Sequence, residues 1–463
     1  MKLISIKIFN YRSIDAAELS LEVLGDGSCT YGLIGLNEAG KSSILKAIAL
    51  KDGLIKIEQK DLHKKKMPVE VLFTYQVTSE EVERVKALIA PEPAQDIAID
   101  LDFSQVTFIY SYAPPEFGPA IFLDVSNNSK EKNTRFILTP VSPDLLNRTI
   151  FWTAEDKYLI SRPIDLATFA TNPQGVSVPL RNCFLLARID DIKSRVDSLE
   201  NDSTEIEHLQ SVLGKSVTDH IRSVWPNHPI EISFLITSGQ IYFHVKDTGV
   251  TGKAKTAEQR SDGFKQFVSF LLTISAQNRN SELSKSILLL DEPETHLHPL
   301  AQEYLLKELI KITENDRENV VLFATHSNYM IDKHDLSRNL RIRKEKDRTV
   351  IERLGKKSST YASVTYEVFD IPSTDHHNEL YAKLHQAFQD QDPADDKRER
   401  IKHFDDEFFH KLKSRKLTKP FRGSANAATL STYVRNCIHH PDNGDIFTDD
   451  ELRLSISQMR ESV

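Results

Sequence analysis

Hydrophobic side chains follow two different periods along this chain. Residues 2–9 and 69–77 alternate polar and apolar side chains, which is typical of strands with one exposed face. Three other runs are apolar, as in strands that are buried on both faces of a parallel sheet. These runs are residues 31–34, 286–290 and 320–324. Apolar residues at helical spacing follow the first run, over residues 43–48, so the pattern predicts an α/β fold.

Helical periodicity elsewhere predicts two additions to this α/β core. Residues 183–224 carry apolar side chains on one helical face, with a polar break at residues 201–204, which predicts a short helical hairpin. The remaining C-terminal pattern is helical in four pieces, near residues 376–390, 394–415, 425–439 and 448–461. Because 463 residues exceed the usual limit of one hydrophobic core, several domains are expected. The expected division is an α/β head at residues 1–182 and 225–370, a helical insertion at residues 183–224 and an all-α C-terminal module at residues 371–463.

A glycine-rich segment lies between the first buried strand and its helix. Residues 35–42, Gly-Leu-Asn-Glu-Ala-Gly-Lys-Ser, fit the pattern G-x-x-x-x-G-K-[ST] at every fixed position. The glycines allow a tight turn whose N–H groups point inward, and the helix start adds the positive end of its dipole. Lys41 would reach the β- and γ-phosphates of a nucleotide such as ATP, and Ser42 would ligate Mg²⁺. The residues predicted to bind the nucleotide here are Gly35, Asn37, Glu38, Ala39, Gly40, Lys41, Ser42 and Ser43.

Two carboxylates end the buried run at residues 286–290. Hydrolysis of a nucleoside triphosphate needs one acid to hold the metal ion and another to orient the attacking water. We therefore expect Asp291 to anchor Mg²⁺ and Glu292 to act as the general base. Another buried strand ends in His326, and the carboxyl ends of parallel strands meet at one edge of a sheet. The sequence thus predicts a site for ATP and Mg²⁺.

Composition and charge narrow the class of protein. Apolar residues make up 40% of the chain and charged residues 27%, as in ordinary globular proteins. The net charge of −8 argues against nucleic-acid binding over the whole surface but allows local basic patches. Its three cysteines, Cys29, Cys183 and Cys437, are far apart and suggest neither a disulfide framework nor a Cys-rich zinc site. Without a signal-peptide pattern or an apolar run of about 20 residues, we expect a cytoplasmic protein that does not span a membrane.

Two local segments are rich in basic residues. Lys64, Lys65 and Lys66 follow one another, and six Arg and Lys residues lie within residues 338–348. Either segment is suited to the phosphates of DNA or RNA. The alternatives are a solvated loop for the first segment and a charged edge strand, protected from pairing, for the second.

Over residues 1–350, these motifs follow the same order as in ABC-type ATPases of the RecF, SMC and OLD (overcoming lysogenization defect) group. The chain therefore resembles this group. The size of the predicted insertion resembles RecF-like and OLD-like ATPases rather than SMC proteins. The resemblance implies that Arg12, beside the first strand, lies near the nucleotide; the alternative is a surface arginine in a turn. Ser261 and Gly263, in a Ser-Asp-Gly segment before an apolar helix, would close on the nucleotide of a second subunit. His326 would be the switch histidine that contacts the γ-phosphate.

The resemblance leaves two further assignments open. A glutamine at the junction of the two lobes would contact Mg²⁺ and the attacking water, and both Gln59 and Gln76 are candidates, with Gln59 favoured. His296 and His298 lie where these ATPases place the loop that contacts the opposite nucleotide. A metal site is the alternative for the two histidines, but no third ligand is evident.

The C-terminal module carries one more short motif. Arg435, Asn436 and His440 resemble the R-x4-H core of HEPN ribonucleases, in which Arg and His act on the RNA 2′-hydroxyl and the developing phosphorane. Alternatively, Asn436 and His440 simply cap the helix before Pro441. The Toprim nuclease domain of OLD nucleases is not expected, because only helical sequence follows residue 375.

These resemblances imply an ATP-driven switch. ATP would close a homodimer, or a higher even oligomer, through the ATPase heads, and hydrolysis through Glu292 would open it. We expect a role in bacterial anti-phage defence or DNA repair, with nucleic acid and a separate nuclease effector as partners. The alternative is an ATP-gated ribonuclease that uses its own Arg435 and His440.

Overall fold

The computed structural model describes most of the chain in two compact units, Met1–Lys356 and Lys357–Val463. The described residues are 1–89, 101–127, 133–138, 145–153, 155–160, 162–199, 202–224, 230–247, 255–256, 259, 265–266, 268–270, 272–273, 284–295, 297–314, 318–346, 348–355, 360–411, 418–420 and 427–462.

The strands are numbered here in chain order. They are β1 (Lys2–Tyr11), β2 (Ile14–Ser20), β3 (Thr30–Ile34), β4 (Val69–Gln76), β5 (Leu101–Tyr112), β6 (Pro119–Asn127), β7 (Thr134–Leu138), β8 (Arg148–Thr153), β9 (Ile164–Asp165), β10 (Ile230–Thr237), β11 (Gln240–Asp247), β12 (Lys255–Thr256), β13 (Ser286–Asp291), β14 (Val320–Thr325), β15 (Asn339–Glu345), β16 (Arg348–Arg353), β17 (Thr418–Pro420) and β18 (Ala427–Thr429). The α-helices are Lys41–Ala49, Val82–Lys86, Leu166–Thr171, Pro173–Val176, Val178–Leu186, Ile192–Asp197, Ser203–Val224, Pro299–Thr313, Tyr361–Phe369, Thr374–Asp390, Ile401–Phe404, Leu430–His439 and Asp449–Arg460.

Two six-stranded sheets form the first unit. The first has the order β2-β1-β4-β5-β6-β7, and all its neighbouring strands are antiparallel. The second has the order β16-β15-β3-β14-β13-β8 and is parallel except for β16. All of β3 and β14 is buried, as is β13 up to Asp291, because apolar side chains face both sides of the parallel sheet. The α/β fold predicted from the sequence is confirmed.

A second core in this unit surrounds the helix Ser203–Val224. Leu209, Leu213, Val217 and Ile221 of this helix are buried at helical spacing. They share a core with Ile232 of β10, whose strand belongs to a small sheet with β9, β11 and β12. The structure of residues 183–224 therefore differs from the predicted two-helix hairpin, because the segment contains parts of three helices and packs on a sheet. Its first helix begins at Val178, because the Ser177 side chain caps the helix by accepting from the Leu180 N–H.

The C-terminal unit is mainly helical, with a core that includes Phe404, Phe409 and Ile456. Two predicted helices differ from the structure. In place of the helix predicted at 394–415, the described residues up to 411 give only short pieces, Asp396–Glu399, Ile401–Phe404 and the π-helical turn Asp405–Phe409. The helix predicted at 425–439 begins at Leu430, because β17 and β18 pair before it. Helix Tyr361–Phe369 also lies in this unit, where Tyr366 stacks on His376, so the unit begins before the predicted residue 371.

Candidate nucleotide site

The glycine-rich loop connects β3 to the helix Lys41–Ala49 at the carboxyl edge of the parallel sheet. Gly35 and Gly40 have φ angles of 153° and 108°, which residues other than glycine rarely adopt. The Lys41 Nζ donates to the carbonyl oxygens of Gly35 at 2.7 Å and Leu36 at 3.0 Å. Burial lowers the pKa of Lys41, which is only 5% exposed. The lysine therefore lies folded over the loop, close to the helix N-terminus.

Asp291 ends β13 and reaches the start of the same helix. The Ser42 Oγ donates to the Asp291 Oδ1 at 2.8 Å, across 249 residues of sequence. Burial raises the pKa of Asp291, while the hydrogen bond from Ser42 opposes that change. The structure thus brings together the two residues that the sequence predicts as Mg²⁺ ligands.

Glu292 and His326 follow β13 and β14, which are neighbours in the sheet. The Glu292 N–H donates to the Ala324 carbonyl oxygen at 3.0 Å, and the Glu292 backbone has a φ of 52°. Its Oε1 lies 3.2 Å from the His326 Nδ1. Both side chains are accessible, with exposures of 37% and 49%. A water molecule can therefore reach the predicted base.

Glu294 is a buried carboxyl that the sequence analysis did not identify. It is 2% exposed and accepts the Thr325 hydroxyl, while its Oε2 has no partner among the described residues. Burial raises its pKa to about 7. Thr325 also accepts the Ser327 N–H at 2.9 Å, and the Ser327 hydroxyl donates to Gln302. These bonds connect the ends of β13 and β14 to the helix Pro299–Thr313. An acid in a polar segment gave no sequence signal that it would be buried.

A cavity of about 450 Å³ joins these elements. Its walls contain most of the residues predicted to bind the nucleotide, together with the predicted base Glu292; these binding residues are Arg12, Asn37, Glu38, Gly40, Lys41, Ser42 and Ser43. Two wall residues were missed by the sequence analysis, Ser13 and Lys344. The only signal for Lys344 was its place in the basic segment 338–348.

Arg12 lies in the wall because its guanidinium and backbone are held by the segment after the phosphate-loop helix. Its Nε donates to the Asp61 Oδ1 at 2.9 Å, and its N–H donates to the Asp61 carbonyl oxygen at 2.7 Å. Asp61 is 4% exposed, and its other carboxylate oxygen accepts the Glu58 N–H. The buried carboxylate thus fixes the position of Arg12 beside the cavity.

Several other predicted residues lie outside the cavity wall or outside the described part of the chain. Ala39 turns its carbonyl oxygen to the Thr349 hydroxyl, outside the cavity wall. The exposed Gln59 donates to the Lys65 carbonyl oxygen at 3.3 Å, and Gln76 lines a different cavity of about 640 Å³, so neither glutamine lines the nucleotide cavity. Ser261, Gly263 and His296 lie outside the described residues. His298 caps the helix Pro299–Thr313 through its Nδ1, which accepts the Leu300 N–H at 3.4 Å.

The basic segments have mixed environments. Arg338 is 1% exposed and forms ion pairs with Asp26 and Asp332, so it is a buried structural residue and cannot track phosphates. Lys64 pairs with Asp15, while Lys65 and Lys66 are exposed. Arg338 therefore fits neither alternative for this segment, the phosphate-binding strand or the solvated edge strand.

In the C-terminal unit, Arg435 lies within the helix Leu430–His439, and His440 lies at its C-terminal end. The Arg435 Nη1 donates to the adjacent Asn436 Oδ1 at 3.0 Å. His440 is the exposed C-cap residue of that helix, as the capping alternative expects.

Over the parts of the chain that are described, no helix combines the length and apolar character needed to cross a bilayer.

Comparison with known proteins agrees with the geometry of the head. Residues 125–332 match the family model described as "AAA domain, putative AbiEii toxin, Type IV TA system", and residues 1–160 match "AAA ATPase domain". An uncharacterized protein of Methanocaldococcus jannaschii is 28% identical over 139 residues, which are 29% of this chain and 35% of that protein. The Old nuclease of Escherichia phage P2 is 24% identical over 393 residues, covering 78% of this chain and 63% of the nuclease. The matched parts thus span less than two thirds of either relative.

Solved structures with a similar fold include an Smc head domain with an extended coiled coil, derived from Pyrococcus furiosus, and the recombination mediator protein RecF. The first has a TM-score of 0.42 at 13% identity and covers 76% of this chain and 96% of its own. The second has a TM-score of 0.42 at 14% identity and covers 76% of this chain and 98% of its own. The family models and the similarity to Old nuclease confirm the predicted resemblance to ABC-type ATPases of the RecF, SMC and OLD group.

Proposed function

We propose that this chain binds and hydrolyses ATP with Mg²⁺ and that the bound nucleotide acts as a switch. One observation carries this proposal: Ser42 contacts Asp291, and Lys41 and Glu292 line one cavity at the carboxyl edge of the parallel sheet. Four groups suited to phosphoryl transfer, from two segments about 250 residues apart, meet at this edge.

The phosphates of ATP would bind against the N-terminus of the helix Lys41–Ala49. Its first N–H groups and its dipole favour an anion. Lys41 would exchange the carbonyl oxygens of Gly35 and Leu36 for phosphate oxygens, so the buried ammonium would gain a charged partner.

The residues present fit a magnesium ion. The Ser42 hydroxyl and the Asp291 carboxylate are both oxygen ligands, which Mg²⁺ prefers, and they already lie in contact. When bound, Mg²⁺ would neutralise charge on the transferred phosphoryl group.

Glu292 would accept the proton of the attacking water, since its accessible carboxylate lies in the cavity wall. His326, 3.2 Å from that carboxylate, would orient it and would contact the γ-phosphate. Glu294 would stabilise this arrangement because its carboxylate accepts a hydrogen bond from Thr325, the residue before His326.

The switch would operate between two copies of the chain. Ser261 and Gly263 would close on the nucleotide held by the partner head, so ATP would drive a homodimer or a higher even oligomer. The likeness to the phage P2 Old nuclease supports a role in anti-phage defence or DNA repair, with nucleic acid and a nuclease effector as partners in the cytoplasm.

Phosphate release from ATP by the purified chain tests this function. Lys41→Ala should abolish ATP binding, while Lys307→Ala, on the exposed side of the helix Pro299–Thr313, should behave as the wild type. Light scattering with Glu292→Gln should show a larger particle with ATP than without it. A wild-type chain that does not bind ATP would overturn the proposal, and a mass unchanged by ATP would remove the dimer from it.

The alternative function is an ATP-gated ribonuclease. The observation that favours it is the exposure of His440 five residues after Arg435, at one helix end. In this case Arg435 would stabilise the developing charge and His440 would act on the 2′-hydroxyl.

A further inference from the structure

The hairpin formed by β15 and β16 packs directly on the phosphate loop. A Cβ atom at Gly35 would lie 2.2 Å from the Ile342 carbonyl oxygen, and one at Gly40 would lie 2.5 Å from the Thr349 Oγ1. Both distances are too short for a real side chain, so only glycine allows this approach. The conformation of the loop therefore depends on a hairpin that lies about 300 residues further along the chain.

Thr349 joins the hairpin to two walls of the cavity. It is 2% exposed, and its hydroxyl donates to the Ala39 carbonyl oxygen at 3.3 Å. The Thr349 Oγ1 also lies 2.9 Å from the Ser13 Oγ, and the Thr349 N–H donates to the Ser13 carbonyl oxygen at 3.1 Å. One buried side chain thus connects the hairpin to the phosphate loop and to the turn that carries Arg12.

Lys344 lies directly opposite Thr349 in the hairpin register, so the two side chains share one face. Lys344 lines the nucleotide cavity. Neighbouring hairpin cations are paired: Arg343 with Glu345 and Glu352, and Arg348 with Asp15. Among the described residues, Lys344 has no acidic partner, which leaves its ammonium available to a ligand.

The charges of the cavity wall point to the ligand of Lys344. Two acids, Glu38 and Glu292, line the cavity with Lys41, and the charge of Arg12 is partly neutralised by Asp61. A triphosphate adds about four negative charges to the same space. The proposed Mg²⁺ would offset two of these charges, and Lys344 supplies a further cation from outside the phosphate loop.

We infer that Lys344 binds the phosphate chain of the nucleotide and that Thr349 is a positioning residue that holds the loop and the hairpin together. This inference rests on the proposed ATP-binding function. It makes the β15–β16 hairpin a part of the nucleotide site that the phosphate-loop and strand-end motifs do not contain.

Equilibrium binding of ATP and AMP to the full chain tests Lys344. Lys344→Gln should raise the Kd for ATP roughly tenfold, which is the size of one partly exposed charge-assisted hydrogen bond. The Kd for AMP, which has a shorter phosphate chain, should change less. Lys344→Arg should retain most of the ATP affinity. The matched control is Lys346→Gln, an exposed lysine in the same hairpin that does not line the cavity.

Equal ATP affinities for Lys344→Gln, Lys346→Gln and the wild type would overturn the assignment. Failure of the wild type itself to bind ATP would instead remove the proposed function, so the two failures are distinguishable.

A second pair of variants tests Thr349. Thr349→Val removes the hydroxyl, and Thr349→Ser keeps it. Valine should weaken ATP binding several-fold, and serine should restore it. The melting temperature of both variants without nucleotide is measured to check that they fold. Equal ATP affinity for the valine and serine variants would exclude a positioning role for the hydroxyl.

Discussion

The nucleotide cavity of the first unit and the helix end in the C-terminal unit are held by different kinds of contact. In the cavity, Ser42 contacts Asp291 across 249 residues, and Glu292 lies beside His326 of the neighbouring strand. In the helix Leu430–His439, Arg435 bonds to the next residue, Asn436, and the C-cap residue His440 is exposed. Motifs from distant strands that meet at one edge support a site more strongly than a short local motif does.

The two units also bury titratable groups with opposite effects. Glu294 in the first unit has a pKa raised to about 7, and His376 and His377 in the C-terminal unit have pKa values lowered to about 4, each mainly because of burial. In each case burial favours the neutral form. The first unit therefore loses stability from Glu294 as pH rises, and the C-terminal unit loses stability from its histidines as pH falls.

The largest expected effect is on catalysis in the cavity. Glu292→Gln should lower the rate of ATP hydrolysis by about 10² to 10⁴-fold, because the amide cannot accept a proton from water. ATP binding should remain. Phosphate release and equilibrium binding measure the two effects separately. The control is Glu308→Gln, a carboxylate that pairs with Lys311 on the surface of the helix Pro299–Thr313. A wild-type rate of hydrolysis in Glu292→Gln would show that another residue is the general base.

The next effect is acid destabilisation of the C-terminal unit. His376 and His377 are 3% and 0% exposed, and an unfolded histidine titrates near 6.5. Stability should therefore be full above about pH 6.5 and fall toward pH 4, by roughly 3 kcal/mol for each histidine. Hydrogen exchange in the helix Thr374–Asp390, corrected for intrinsic rates, measures it. His376→Phe keeps the stacking on Tyr366 and should reduce the loss. A pH-independent helix would contradict the prediction.

Glu294 should give the opposite pH dependence in the first unit. Its pKa is about 7 in the folded chain and about 4.3 when unfolded, so stability should fall between these pH values as pH rises, by roughly 4 kcal/mol. Urea unfolding followed through tryptophan fluorescence, to which the buried Trp152 contributes, measures the trend. Glu294→Gln should flatten it. If Glu294→Gln keeps the full wild-type slope over this range, another group is responsible.

The smallest effect concerns the C-terminal motif. Arg435→Ala and His440→Ala should change ATP hydrolysis by less than about twofold, because neither residue lies at the cavity. We expect no RNA cleavage by the purified chain with or without ATP. Cleavage that disappears in His440→Ala, while ATP hydrolysis persists, would establish the ribonuclease alternative and give both units an active site.

The sequence predicted the elements that carry chemistry because they are local patterns. A glycine-rich loop before a helix and a buried strand ending in Asp291 are each visible in fewer than about ten residues. Their meeting follows from parallel strands, whose carboxyl ends share an edge. Arg12, in the turn after β1, lies in the cavity wall, and its place near a nucleotide stays a prediction from the resemblance.

The parts that were missed depend on tertiary packing. Lys344 lines the cavity beside the buried Thr349 because the hairpin register places both on one face, and the buried Glu294 accepts a hydrogen bond from Thr325 of the neighbouring strand. The predicted helix at 394–415 is broken where Phe404 and Phe409 turn into the core of the C-terminal unit. Helical periodicity does not reveal such a turn.

The strand order of the parallel sheet determines when the nucleotide site can form during synthesis. β3, which leads into the phosphate loop, pairs only with β14 and β15 among the described strands, and these contribute residues 320–345. Strands β1, β2 and β4 to β7 pair within the first 138 residues and can fold on the nascent chain. Translation must therefore reach about residue 345 before β3 has both of its neighbouring strands and the phosphate loop has a complete sheet edge beside it.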